Sequence, residues 1–182
     1  MSDAGEIEYC HSWNSRRNRV GVPLSEAEAR ARNAAGEQFI AVLREKAGRQ
    51  PVLVTVSGEN GVITVTFRDR HGRQNLKYWF GTVDDDERLF LRTVMFWEYP
   101  SDDPKLRQSD ATKVEDTSFR PDGYVKRVVM DSVEQVKETT EFNSVPVADN
   151  WEPVPEFGDY RSIARRERGG RPAGESADRS TN

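Results

Sequence analysis

An α+β fold is predicted: one N-terminal helix packed on a six- or seven-stranded antiparallel meander sheet, followed by a Pro-rich extended C-terminal segment. Three observations predict it. A capping signal at Ser25 opens a run of helix formers, the apolar period falls to two after Pro51, and turn sequences punctuate the rest at short intervals.

Residues 1–22 are polar and mixed, and read as an irregular arm that Ile7, Tyr9 and Trp13 anchor to the domain. The helix starts at Ser25, because Glu28 stands three residues on and completes a capping box. Behind it Ala31, Ala35, Phe39, Val42 and Leu43 form one apolar stripe at helical spacing. Acids in the first turn and Arg44 and Lys46 near the end suit the helix dipole, and Gly48 is the expected stop. The helix is therefore expected to run through the forties.

Val52–Ser57 and Val62–Phe67 alternate as two strands around the turn 58–61, where Asn60-Gly61 tolerates positive φ. Asp69–Gly72 turns into the strand Leu76–Phe80, and the acidic turn Asp84–Glu87 precedes Leu89–Tyr99. That strand is apolar on both faces, with Leu89, Leu91, Met95 and Trp97 on one and Phe90, Val94 and Phe96 on the other. It is expected at the centre, covered on both sides. A further hairpin turns at Phe119–Tyr124, and Val133–Phe142 reads as a charge-protected edge strand. Three prolines in the stretch Val145–Tyr160 forbid a helix or central strand, while Trp151, Phe157 and Tyr160 call for burial, so this stretch should seal the sheet. From Arg165 no apolar pattern remains. The expected organisation is an arm (1–22), a single domain (23–164) and a disordered tail (165–182).

Composition narrows function. Thirty-one acids against twenty-seven bases give a net charge of −4, which argues against a dedicated polyanion binder. No apolar run approaches the roughly 20 residues that cross a bilayer, and the acidic N-terminus lacks a secretory pattern, so a cytoplasmic location is expected. Twenty-one of the bases are Arg and six are Lys, a skew that suggests GC-rich bacterial coding. One cysteine, Cys10, precludes an internal disulfide and a thiolate cluster. His11 and His71 are the only histidines. Cys10 and His11, being adjacent, should point to opposite faces of an extended segment, and His71 occupies a polar turn, so no catalytic residue is assigned. Asp84–Glu87 lacks EF-hand spacing, and no metal or cofactor is expected. Arg16-Arg17-Asn18-Arg19 and Arg165-Arg166-Glu167-Arg168 are short basic clusters at opposite ends of the chain. Read as separate arms on an acidic chain, they leave nucleic acid an unexpected partner.

Two functional readings remain. The first is a non-enzymatic protein-binding module, specifically an immunity or inhibitor protein that occludes a basic bacterial toxin or effector. Asp84, Asp85, Asp86, Glu87, Asp102, Asp103 and Trp151 are its candidate contact residues, with the acids of 134–141 as a further patch. The alternative is a small-molecule-binding or cofactorless enzyme domain. A helix across a curved sheet resembles, in architecture alone, the cone-shaped cystatin-like and ketosteroid-isomerase-like folds. Tyr78, Trp97, Glu98, Tyr99 and Tyr124 would then line a pocket of roughly 300 Å³ or more.

Overall fold

The computed structural model describes residues 6–44, 49–84 and 86–168. Along the chain run β1 (Ile7–Asn14), β2 (Arg19–Leu24), α1 (Glu26–Ala34), β3 (Phe39–Leu43), β4 (Val52–Ser57), β5 (Val62–Arg68) and β6 (Gln74–Thr82). They are followed by β7 (Arg88–Glu98), β8 (Lys113–Phe119), β9 (Val125–Asp131), β10 (Val136–Phe142) and β11 (Trp151–Pro153). All pairings are antiparallel and join one sheet in the order β10-β9-β8-β7-β6-β5-β4-β3-β1-β2. β11 adds to β7 at Arg88–Phe90, below the residues that β8 occupies. One helix and a large antiparallel sheet agree with the expected class, but the strand count of six or seven is too low. β4 to β10 are the expected meander; β1, β2, β3 and β11 arise from segments read as arm, helix and strap.

The helix is the largest correction. Its start is as expected: the Ser25 side chain accepts from the Glu28 N–H, and the Glu28 carboxylate accepts from the Ser25 N–H at 2.7 Å. Its end comes twelve residues early. Gly36 sits at φ +73°, the Glu37 N–H donates to the Arg32 carbonyl, and the Gly36 N–H donates to that of Asn33. This is a Schellman stop, which only a residue without Cβ adopts without strain. The released Phe39–Leu43 is a short, mostly buried strand, and an apolar run of five is ambiguous between helix and strand on periodicity alone.

The arm is also not irregular, because β1 and β2 form a hairpin. Two irregularities in its register, at His11 and at Gly21, bend it. Trp13 and Val20 thereby pack on Cys10, Ile40, Val42 and Leu53. That face lies opposite the main core, since Phe39, Ala41, Val52 and Val54 alternate with these residues and belong to the other side.

The main core is a sheet face covered by α1 and by the strap after β11. Ala29 comes from the helix, Phe157, Tyr160, Ile163 and Ala164 from the strap, and Val65, Phe67, Tyr78, Phe80, Leu89 and Leu91 from the strands. β7 carries a bulge: Phe80 pairs with Leu91 but Trp79 pairs with Thr93, so Arg92 is extra. The inserted residue reverses the alternation beyond it. Val94 therefore joins Leu89 and Leu91 on the covered face, and Met95 and Trp97 do not, contrary to the simple period-two reading. β10 is exposed from Val136 to Glu141, as an edge strand of charged residues should be.

Candidate functional site

A cleft opens at the end of the sheet where β5 leaves off. It has a volume of about 660 Å³, within the range of ligand sites. Its floor is Val52 and Phe67 and one rim is Arg49, Gln50, Arg68, Asp69 and Arg70; the other wall is the strap, Ala164 to Glu167. Five arginines thus face one cavity in a chain that is acidic overall.

Each wall is held in place by identifiable contacts. Strap position depends on Glu152 of β11, which is 5% exposed and accepts from both Arg165 and Arg168 at 2.5 Å. The Arg168 guanidinium lies 5.3 Å from the Tyr78 ring and 4.8 Å from that of Phe80. It also donates to the carbonyls of Ser162 and Ile163, and burial draws its pKa down despite the carboxylate. The Tyr78 hydroxyl donates to the Arg166 carbonyl at 2.5 Å, which leaves the Arg166 side chain directed over Phe67, 5.6 Å from the ring. Residues 165–168 therefore belong to the folded domain, and the expected tail boundary at 165 moves to beyond 168; residues 169–182 lie outside the described residues.

On the opposite rim, Arg68 donates to the Gly72 carbonyl at 2.6 Å and lies 5.3 Å from the Trp13 ring. Its Nε is buried with no acceptor among the described residues, and desolvation lowers its pKa. The turn 69–73 is rigid: Asp69 accepts from the backbone of His71 and Arg73 and from the Arg73 guanidinium. Arg73 is buried and donates further to the Ser101 and Asp103 carbonyls, which ties the next loop to the same end. Gly72 is required here, with φ +76° and a would-be Cβ 2.5 Å from Asn18 Nδ2. Asn18 itself donates to Gln50, and Gln50 donates to the Arg70 carbonyl. The tip of the β1–β2 hairpin is thus fastened to the cleft rim.

The residues singled out for a partner surface do not form one. Asp86 and Trp151 are joined through Arg88, which pairs with the Asp86 carboxylate at 2.7 Å and lies 4.5 Å from the Trp151 ring. Those hydrogen bonds hold the Asp86 carboxyl below its ordinary range. Trp151 is half-buried, 4.9 Å from Phe90, in the small cluster with Phe119, Val125 and Val147. Asp84 and Glu87 are exposed nearby, and Asp85 lies outside the described residues. Asp102 and Asp103 belong to the opposite end of β7, where Asp102 pairs with Arg70.

The alternative pocket residues also separate. Tyr78 lies under the strap, whereas Trp97 is buried on the other face of the sheet. Glu98 is exposed opposite Lys113. Tyr99 donates to the Gln74 carbonyl under Arg73, and Tyr124 lies beneath Arg120 at a distant turn. None of them lines the arginine cleft, nor a second cavity of about 390 Å³ bounded by Ile7, Glu8, Tyr9, Val20, Pro23, Leu24 and Glu26. Cys10 is fully buried and desolvation pushes its thiol up to about 11, while His11 is exposed. His71 Nε2 is 3.5 Å from Asp102 Oδ1 at the surface. Among the described residues no three His, Cys, Asp or Glu side chains gather as a metal site, and no helix is long and apolar enough to cross a membrane.

No protein-family model matches the chain, and neither a curated protein nor a solved structure matches it. Sequence reasoning did mark the two basic clusters that adjoin the cleft. It missed Arg49, Arg68 and Arg70; the last two flank Asp69 in a stretch that reads only as a turn.

Proposed function

We propose that this protein is a non-catalytic binding module that takes a phosphate-bearing anionic ligand in the arginine cleft. The observation that carries the reading is the convergence of Arg49, Arg68, Arg70, Arg165 and Arg166 on one cavity. The guanidinium fork matches a phosphate oxygen pair, and a concave, partly apolar site focuses the field of several such groups. Of the two cleft acids, Asp69 is already committed to Arg73. The test is calorimetric titration with inorganic pyrophosphate and with a nucleoside triphosphate at low ionic strength. Binding should weaken at least tenfold, about 1.4 kcal/mol, in Arg166→Ser, whose exposed side chain makes no hydrogen bond among the described residues. Absence of binding to either probe, or indifference to Arg166→Ser and Arg70→Ser together, sinks the reading.

A second reading, a bacterial cytoplasmic immunity or inhibitor protein directed at a basic toxin, is favoured by one observation. The sheet face bearing Trp79 (45% exposed) and Met130 (41% exposed) ends at the open edge β10, where Glu141 is exposed on the same face. On that reading, protection of cells from a co-encoded toxin is lost in a Trp79→Ala, Met130→Ser double variant that still folds.

A further inference from the structure

We propose that the cleft's ligand is a single strand of nucleic acid whose backbone continues out of the cleft and across the tip of the β1–β2 hairpin. The inference rests on the anion-binding reading and extends it from a phosphate group to a polymer. Its basis is a juxtaposition: the two basic clusters, about 150 residues apart in the chain, meet at one end of the sheet. Arg165 and Arg166 form the strap wall. Arg16, Arg17 and Arg19 are on the hairpin tip, which the Asn18–Gln50–Arg70 hydrogen bonds fasten to the opposite rim.

The tip arginines are exposed, and none has an acidic partner among the described residues. Of the nearby acids, Asp69 is engaged by Arg73, Asp102 by Arg70 and Glu152 by two arginines, which leaves Glu167 on the strap wall as one acid among a larger number of arginines. A positive band therefore runs from the strap wall across the rim to the tip. A mononucleotide placed in the cleft leaves the tip unused, so a ligand that engages both must carry phosphates along its length.

The walls also define how that ligand is read. Phe67 in the cleft floor and Trp13 beside the rim each have a guanidinium over them, from Arg166 and Arg68. Bases are not offered a bare stacking platform, and recognition falls on the backbone, indifferent to sequence. On this proposal the cleft, about 660 Å³, takes a segment of one strand, and a duplex binds more weakly.

The experiment is fluorescence anisotropy with labelled single strands of about 15 nucleotides, long enough for one site. Titrations between about 50 and 200 mM salt give the slope of log K against log salt, with each phosphate contact on a single strand contributing about −0.7. Replacing Arg16, Arg17 and Arg19 together by Ser should make the slope shallower by about 2. Thermal stability and pyrophosphate affinity should stay as in the wild type. The inference fails if the strand binds no tighter than a mononucleotide, if the triple variant keeps the wild-type slope, or if a duplex or poly-glutamate binds as tightly. In those cases unchanged pyrophosphate binding would leave the anion cleft standing; loss of all phosphate binding would remove both.

Discussion

Glu152 shows how one carboxylate can determine the shape of a site. It is buried, it lies on a three-residue strand, and Arg165 and Arg168 of the strap both donate to it. Arg168 is as deeply buried, with a side chain 4% exposed. Removing one member of such a pair strands the other charge away from water, which costs about 3–5 kcal/mol. Glu152→Gln should therefore lower the unfolding free energy obtained from urea denaturation by that amount. A Glu152→Met, Arg168→Met pair should recover most of the loss; failure to recover would mean that the pair sets strap geometry and not merely charge balance. Cys10 gives a second residue-scale expectation. Its folded pKa is raised to about 11 by burial from an ordinary 9.0, so the neutral thiol contributes stability that is complete below pH 9 and lost as pH rises through 11. Tyr160, pushed up to about 12 from 10.0 by desolvation, adds a loss between pH 10 and about 12. Stability measured against pH should be flat near neutrality and fall above pH 9, and Cys10 should resist alkylation at pH 7.5. Labelling at the rate of an exposed thiol would refute the burial argument.

Among the elements, α1 is short, and its ends do much of the work of holding it. Nine residues are marginal as an isolated helix, so the capping box at Ser25 and the stop at Gly36 matter more than propensity. Ser25→Ala leaves the Glu28 N–H without its partner and should cost about 1 kcal/mol, read as a fall in melting temperature with no change in phosphate binding. An unchanged melting temperature would show that the helix is held by Ala29 and the strap alone. The β1–β2 hairpin shows the opposite balance, with little local signal and a defined place. His11 and Gly21 break its register, and the bend delivers Trp13 to a face of β3 and β4 that no other described element covers. The strand β7 depends on a bulge in the same way, since Arg92 changes which residues its second half buries.

At the scale of the whole molecule, charge is distributed by the fold and not by the run of the chain. Of the acids that look like patches in the sequence, Asp86 at one end of β7 is answered by Arg88 and Asp102 beyond the other end by Arg70, while those of 134–141 fall along β10 and the turn before it. Arginines that look like separate arms meet at one end. The antiparallel meander from β4 to β10, the capping box, the charged edge strand and the apolar strap were all legible in the sequence, because each rests on spacing and turn chemistry within a few residues. What the tertiary structure decided was the early helix stop, the burial of Phe39–Leu43 as a strand, the folding back of the N-terminal hairpin and the docking of residues 165–168. Apart from the helix stop, whose hydrogen bonds close within five residues at Gly36, those outcomes depend on partners a dozen or more residues distant, for which periodicity carries no signal. The arginine cleft belongs to this second group, since Arg49, Arg68 and Arg166 share a cavity only after the strap has closed on Tyr78.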